Sequence, residues 1–239
     1  MNAFQNIDTL LFDMDGTLTN LGKRYWEPIF RAIDKLKPDH DRKKRQEVFE
    51  KTLTRVVENS MGSSRILKIK TFLKAVKDSE LSLIDIYRAM RLVRKDPLAF
   101  REVEPLEGVE EILVLLHSRG YKLALVTNAS DDTLRIAKKE LKALKKFDAI
   151  VTRNMVKRIK PYPESILAAI KKLKKDPQKC VMIGDFPQDV KAGKAAGIKT
   201  IAILGDNGKY TENQIKQLRP DIILSSIHEL VPLFPQVNR

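Results

Sequence analysis

An apolar run, Asp8 to Phe12, leads directly into Asp13-Met14-Asp15-Gly16-Thr17. Two carboxylates spaced two residues apart at a strand end can both face one pocket. Left alone they repel and one takes up a proton; a hard divalent cation removes that conflict and accepts oxygen ligands. Gly16 lets the backbone turn sharply immediately afterwards. A second acidic pair lies in Gly184-Asp185-Phe186-Pro187-Gln188-Asp189. Asp185 closes a strongly apolar strand and needs a partner there, whereas Asp189 is also an ordinary residue for the start of a helix. Thr127-Asn128 follows the apolar Leu123–Val126 and offers a hydroxyl and amide N–H groups to phosphate oxygens, although Thr-Asn-Ala-Ser equally suits the cap of a following helix. Lys160 precedes Pro161-Tyr162-Pro163 and a helix, where an ammonium opposes the helix dipole. An anion bound at that point would give it a role; in so basic a chain, surface decoration is the plain alternative.

The elements that position these residues fall into two patterns. Between residues 20 and 104 the apolar positions recur at helical spacing: Tyr25, Ile29, Ile33 and Leu36, then Val48 to Val57, Ile66 to Val76, and Leu81 to Val93. This predicts an all-helical block of roughly four helices. After Pro105 the chain alternates. Helices are expected over 108–119, 131–144, from about 163, and over 189–196, separated by strands at 122–126, 149–152, 180–183 and 199–204. A further short strand at 221–224 and a brief helix end the chain. Strand–helix alternation with apolar strands implies an α/β fold, a doubly wound parallel sheet, with the helical block inserted after its first strand. In such sheets, sites form beyond the carboxyl ends of the strands, where several of these polar signals lie.

The 239 residues carry 45 Lys+Arg against 31 Asp+Glu, a net charge of +14. Hydrophobic residues make up 43% and charged residues 32%, a balance that fits a folded chain and disfavours a disordered one. No run of roughly 18 apolar residues is present, so no membrane-spanning helix is expected, and the N-terminal residues lack the pattern of a secretion signal. The single Cys180 suits a reducing, cytoplasmic setting. The basic runs are mixed in sign, as in Arg42 to Arg45 followed by Glu47 and Glu50. Aromatics are only 6%, and no zinc-finger spacing or aromatic-interleaved basic motif appears, so a nucleic-acid partner is not expected.

Taken in order, Asp13-x-Asp15-Gly16-Thr17, the hydrophobic-Thr127-Asn128, Lys160-Pro161-x-Pro163 and Gly184-Asp185-x-x-x-Asp189 resemble the four motifs of the haloacid dehalogenase superfamily, over essentially the whole alternating part. The resemblance implies a catalytic core of residues 1–19 plus 105–239 and a helical cap of residues 20–104, as in phosphoglycolate phosphatase-like members. It implies Asp13 as the nucleophile forming an aspartyl-phosphate, and Asp15 as the group that protonates the leaving oxygen and later activates water. It also implies Mg²⁺ held by Asp13 and Asp185, by the carbonyl of Asp15, and with support from Asp189. Thr127, the backbone of Asn128 and Lys160 would bind the transferring phosphoryl oxygens. Dehalogenases and phosphonate cleavers lack the second aspartate, so Asp15 points to phosphate-ester chemistry on a small phosphorylated metabolite. Phe186 is a departure: relatives usually have a small hydroxyl residue there, and the position bears on how Asp185 is held.

In the helical block, Ser63, Ser64 and Arg65 follow Gly62 between two expected helices and are candidate substrate-recognising residues, an ordinary helix connection being the alternative. Tyr25 and Trp26, at the start of the block, either touch substrate or pack in its core. A phosphosugar mutase of the same superfamily, which also keeps Asp15, is the alternative activity. A basic nucleic-acid-binding module is a more distant one, because it leaves acids at successive strand ends unexplained.

Overall fold

A computed structural model of the chain describes residues 4–25, 27–39, 41, 43, 81–96 and 101–237. The chain falls into two compact units, Met1–Asn20 with Val103–Arg239, and Leu21–Glu102.

The larger unit is built on six parallel strands: β1 (Thr9–Phe12), β2 (Lys122–Val126), β3 (Ala149–Val151), β4 (Cys180–Gly184), β5 (Lys199–Ile203) and β6 (Ile222–Leu224), in spatial order β3-β2-β1-β4-β5-β6. β1 is central, pairing in register with β2 (Phe12 opposite Leu125) and β4 (Phe12 opposite Ile183). Because successive strand residues point to opposite faces, two cores form. Leu10, Phe12, Leu123, Leu125, Val181 and Ile183 pack on one face with Ile112, Leu113 and Leu116 of the first core helix. Leu11, Ala124, Val126, Cys180 and Met182 pack on the other with Ile166, Ala169 and Ile170. Strands buried on both faces read as continuous apolar runs, which is why they were legible.

The smaller unit contains, among its described residues, α1 (Leu21–Tyr25), α2 (Glu27–Leu36) and α3 (Leu83–Lys95). Ala32 and Ile33 of α2 pack against Ala89 and Val93 of α3. Ser82 caps α3 by accepting from Asp85 N, while the Asp85 carboxylate accepts from Ser82 N, a reciprocal cap that settles where the helix begins. The expected helices at 48–57 and 66–76, Trp26, and the candidates Ser63, Ser64 and Arg65 lie outside the described residues.

The core helices are α4 (Val109–Ser118), α5 (Asp131–Glu140), α6 (Glu164–Leu173), α7 (Pro187–Ala195), α8 (Gly208–Leu218) and α9 (Leu230–Leu233). Three differ from the sequence expectation. The helix expected over 131–144 ends at Glu140 and continues as a 3-10 turn, Lys142–Lys146. There Glu110, from a distant segment, accepts from Lys142 N and Ala143 N at 2.5 and 2.6 Å, replacing intrahelical bonds. α7 begins at Pro187 rather than Asp189, since proline lacks only a donor that the first helical turn does not use. α8 was not expected at all. Its buried residues are Gly208, Tyr210, Thr211 and Ile215, too thin an apolar stripe to announce a helix.

Candidate active site

Asp13 and Asp185 each stand one residue beyond neighbouring strands. Asp13 N donates to Ile183 O at 2.9 Å, so the β1–β4 ladder continues to the residue that carries the carboxylate. Asp189 sits in the first turn of α7, which follows β4 directly. Carboxylate oxygens of Asp13, Asp185 and Asp189 lie within 4.8 Å of one another, and these residues are only 4, 0 and 1% exposed. Lys160 Nζ enters the same space, 2.6 Å from Asp13 Oδ1 and 2.7 Å from Asp189 Oδ1. The ammonium thus stands between two buried carboxylates. Asp15 is half-buried, and Thr19 Oγ1 donates to its carboxylate at 3.4 Å. Its side chain is not one of the clustered set, which leaves its carbonyl as the group to consider for a cation.

Two glycines make the approach possible. Gly16 has φ +95°, and a Cβ there would lie 2.1 Å from Asp185 Oδ2. At Gly184 a Cβ would lie 2.4 Å from Asp189 Cγ. The motif glycines are therefore requirements of close packing between acids and backbone, not only of turning.

Asn128 reads differently from its sequence expectation. Its side chain exchanges two hydrogen bonds with the backbone of Lys160: Lys160 N donates to Asn128 Oδ1 at 3.0 Å, and Asn128 Nδ2 donates to Lys160 O at 3.1 Å. The second motif thus holds the third. Thr127 is buried at the end of β2, its Oγ1 accepting from Ala129 N at 3.0 Å. The capping role belongs to Ser130, whose hydroxyl accepts from Thr133 N, which leaves Thr127-Asn128 for other work.

Phe186 does not disturb the acids beside it. Phe186 N donates to Asp189 Oδ2 at 3.0 Å and Asp189 N returns a bond to Phe186 O, contacts that need only backbone. Asp185 is held instead by Thr17 Oγ1, donating to its Oδ1 at 2.8 Å, and by Asn207 Nδ2, donating to its Oδ2 at 2.8 Å. Sequence reasoning assigned no task to Thr17 and missed Asn207. The signal was available, since Gly205-Asp206-Asn207-Gly208 is a polar turn just beyond the carboxyl end of β5.

A family model described as haloacid dehalogenase-like hydrolase matches residues 10–203. The chain belongs to the haloacid dehalogenase-like hydrolases. Among curated relatives of this hydrolase, pyrophosphatase PpaX of Bacillus cereus (strain Q1) is 30% identical over 234 residues, 98% of this chain and 99% of the relative. Two solved structures share its fold. The HAD-type hydrolase YfnB of Bacillus subtilis, solved bound to magnesium, superposes with a TM-score of 0.73 at 17% identity, covering 95% of this chain and 98% of that one. A phosphoglycolate phosphatase-like protein from Lactobacillus delbrueckii gives 0.64 at 20% identity, covering 93% and 96%. Among the described residues no helix is long and apolar enough to cross a membrane.

The electrostatics of the hydrolase's acid cluster test whether it suits a cation. Burial first, then the charges of Asp13 and Asp189, pushes the Asp185 carboxyl well above the ordinary range, against the pull of its Thr17 and Asn207 donors. Asp189 is pushed up to about 6, by burial and by Asp13, with Lys160 working the other way. Burial also opposes the Lys160 ammonium, but Asp13 and Asp189 outweigh it and raise its pKa. Three ionised carboxylates against one ammonium leave two negative charges, the complement of a divalent cation, and the donors are the hard oxygens such ions prefer. The residues fit the group.

A pH dependence follows. Asp185 and Asp189 both have raised native pKa values, so without a cation the stability tied to their protonated forms is present at acid pH and lost as pH rises, through about 6 for Asp189. Thermal melts should therefore show a Mg²⁺-induced rise in Tm that is larger near pH 7.5 than near pH 5, because ligand stabilisation grows as the acids ionise. A rise independent of pH would mean that these acids do not receive the ion.

Proposed function

We propose that this hydrolase is a Mg²⁺-dependent phosphatase acting on a small phosphorylated metabolite through an aspartyl-phosphate on Asp13. The observation that carries the reading is the cluster at the ends of β1 and β4: three buried carboxylates and the Lys160 ammonium, where a phosphoryl group's spread negative charge needs compensation. Asp13 attacks phosphorus; the bond to the leaving oxygen breaks and Asp15 supplies that oxygen with a proton. Asp15 then takes a proton from water, which attacks the phosphoryl-aspartate and regenerates Asp13. Lys160, Thr127 and the backbone of Asn128 bind the phosphoryl oxygens, and Asn128's side chain orients Lys160. Mg²⁺ would be held by Asp13, Asp185 and the carbonyl of Asp15, with Asp189 in support. Once bound, it offsets the repulsion between a carboxylate and a phosphate dianion. We read residues 20–104 as the substrate-recognising cap and the enzyme as cytoplasmic, with a lone buried thiol at Cys180.

A second substrate reading, inorganic pyrophosphate, is favoured by the relatives that carry the name pyrophosphatase at 30% identity along essentially the whole chain. The same steps serve it, with phosphate as the leaving group. The test is a phosphate-release screen of phosphorylated metabolites and pyrophosphate at saturating Mg²⁺. Release from at least one substrate is expected, stopped by EDTA and restored by Mg²⁺. Turnover that survives EDTA would remove the cation from the reading, and conversion of a sugar phosphate to its isomer without phosphate release would replace it by a mutase.

A further inference from the structure

We propose that Asn207 is a positioning residue for the cation site, orienting Asp185 so that its carboxylate is presented to the metal. The inference rests on the metal-dependent reading above and extends it to a segment outside the four motifs.

Asp185 is completely buried, and each of its oxygens receives one neutral donor: Thr17 on Oδ1 and Asn207 on Oδ2, both at 2.8 Å. Two donors on two oxygens stop the carboxylate from rotating. Neither donor is charged, so they satisfy the acid without neutralising it. Asp13 and Asp189 are treated differently, since both contact the Lys160 ammonium. Asp185 is thus the member of the trio whose charge is not already matched by that lysine.

The path of the chain around Asn207 is fixed independently of Asp185. Leu204 N donates to Leu224 O at 2.8 Å and Gly205 N to Ser225 O at 3.0 Å, prolonging the β5–β6 pairing. The buried Thr211 donates its hydroxyl to Asn207 O at 3.1 Å. At Gly208 a Cβ would come within 2.8 Å of the Leu204 Cβ, so the turn is tight. With the backbone held by these contacts, the short Asn207 side chain spans to Asp185. Gly16, whose missing Cβ leaves room for both Asp185 Oδ2 and Asn207 Nδ2, completes the arrangement. Such partners of metal ligands orient them, and their loss commonly weakens metal binding about 10- to 100-fold.

The experiment is calorimetric titration of Mg²⁺ into substrate-free wild-type, Asn207→Ala and Asn207→Leu proteins, each first melted in EDTA to establish that it is folded. Asn207→Ala should weaken Mg²⁺ binding by about 10- to 100-fold. Asn207→Leu keeps about the same size and stays neutral but has no donor, and should weaken binding as much. A purely structural role would lower the melting temperature and leave the Mg²⁺ dissociation constant of a folded variant unchanged; that result in either variant overturns the proposal. If the wild-type protein itself takes up no Mg²⁺, the metal-dependent reading falls first and this inference with it.

Discussion

The Asp13→Asn enzyme should fold and bind Mg²⁺ weakly, and should lose turnover by about three orders of magnitude or more, the scale expected when a covalent nucleophile is removed. Asparagine has the shape of aspartate, so the backbone bond from Asp13 N to Ile183 O is unaffected. Lys160 retains Asp189 at 2.7 Å, and Asp185 loses one of the charges that repel it. The metal-free fold therefore has no large new defect. The neutral amide, by contrast, is a poor nucleophile toward phosphorus and supplies one charge fewer to a cation. Phosphate release under saturating Mg²⁺, read beside a circular-dichroism melt, separates the two effects. Residual turnover above about a few per cent on the best substrate would mean that Asp13 does not attack phosphorus.

Lys160→Met should act most strongly on stability. The side chain is fully buried, and its ammonium lies against two carboxylates that are themselves almost entirely withdrawn from water. Methionine keeps the length and apolar stem but leaves Asp13 and Asp189 facing each other and Asp185 with no cation among them. Removing one partner of a buried ion pair typically costs about 3–5 kcal/mol. Urea unfolding in EDTA should show a loss of that order, with partial recovery at acid pH as the carboxyls protonate. Turnover at saturating Mg²⁺ should fall as well, because the phosphoryl oxygens lose their ammonium. A loss below about 1 kcal/mol would mean that water or relaxation, rather than Lys160, compensates these acids.

The strands, most core helices and the order of the four motifs could be read from the residues, because apolar strands of a parallel sheet are buried on both faces and end abruptly in polar residues. Asp13, Thr127 and Asp185 follow such runs, so their place at one sheet edge was implied by local pattern together with a general property of open α/β sheets. The helix over Gly208–Leu218 was not legible, since it buries few apolar residues. The early end of α5 was not either, since it depends on Glu110, some 30 residues away. Partnerships behaved the same way: Asn128 was expected to offer only its backbone, yet its side chain clasps Lys160 across a separation of 32 residues.

By itself, then, the sequence determined that Asp13, Asp185 and Thr127 would lie beyond the strand ends of a doubly wound sheet, because hydrophobic period and turn residues are local properties of the chain, and it left Lys160 between an anion site and the surface. Which oxygen each group faces was decided only by tertiary structure. Lys160 reaches both Asp13 and Asp189, and Thr17 and Asn207 divide the two oxygens of Asp185. Those assignments depend on the register of β1 against β4 and on the course of the β5–α8 turn, and hydrogen bonds a few ångströms long between residues far apart in the chain leave no periodic trace in it.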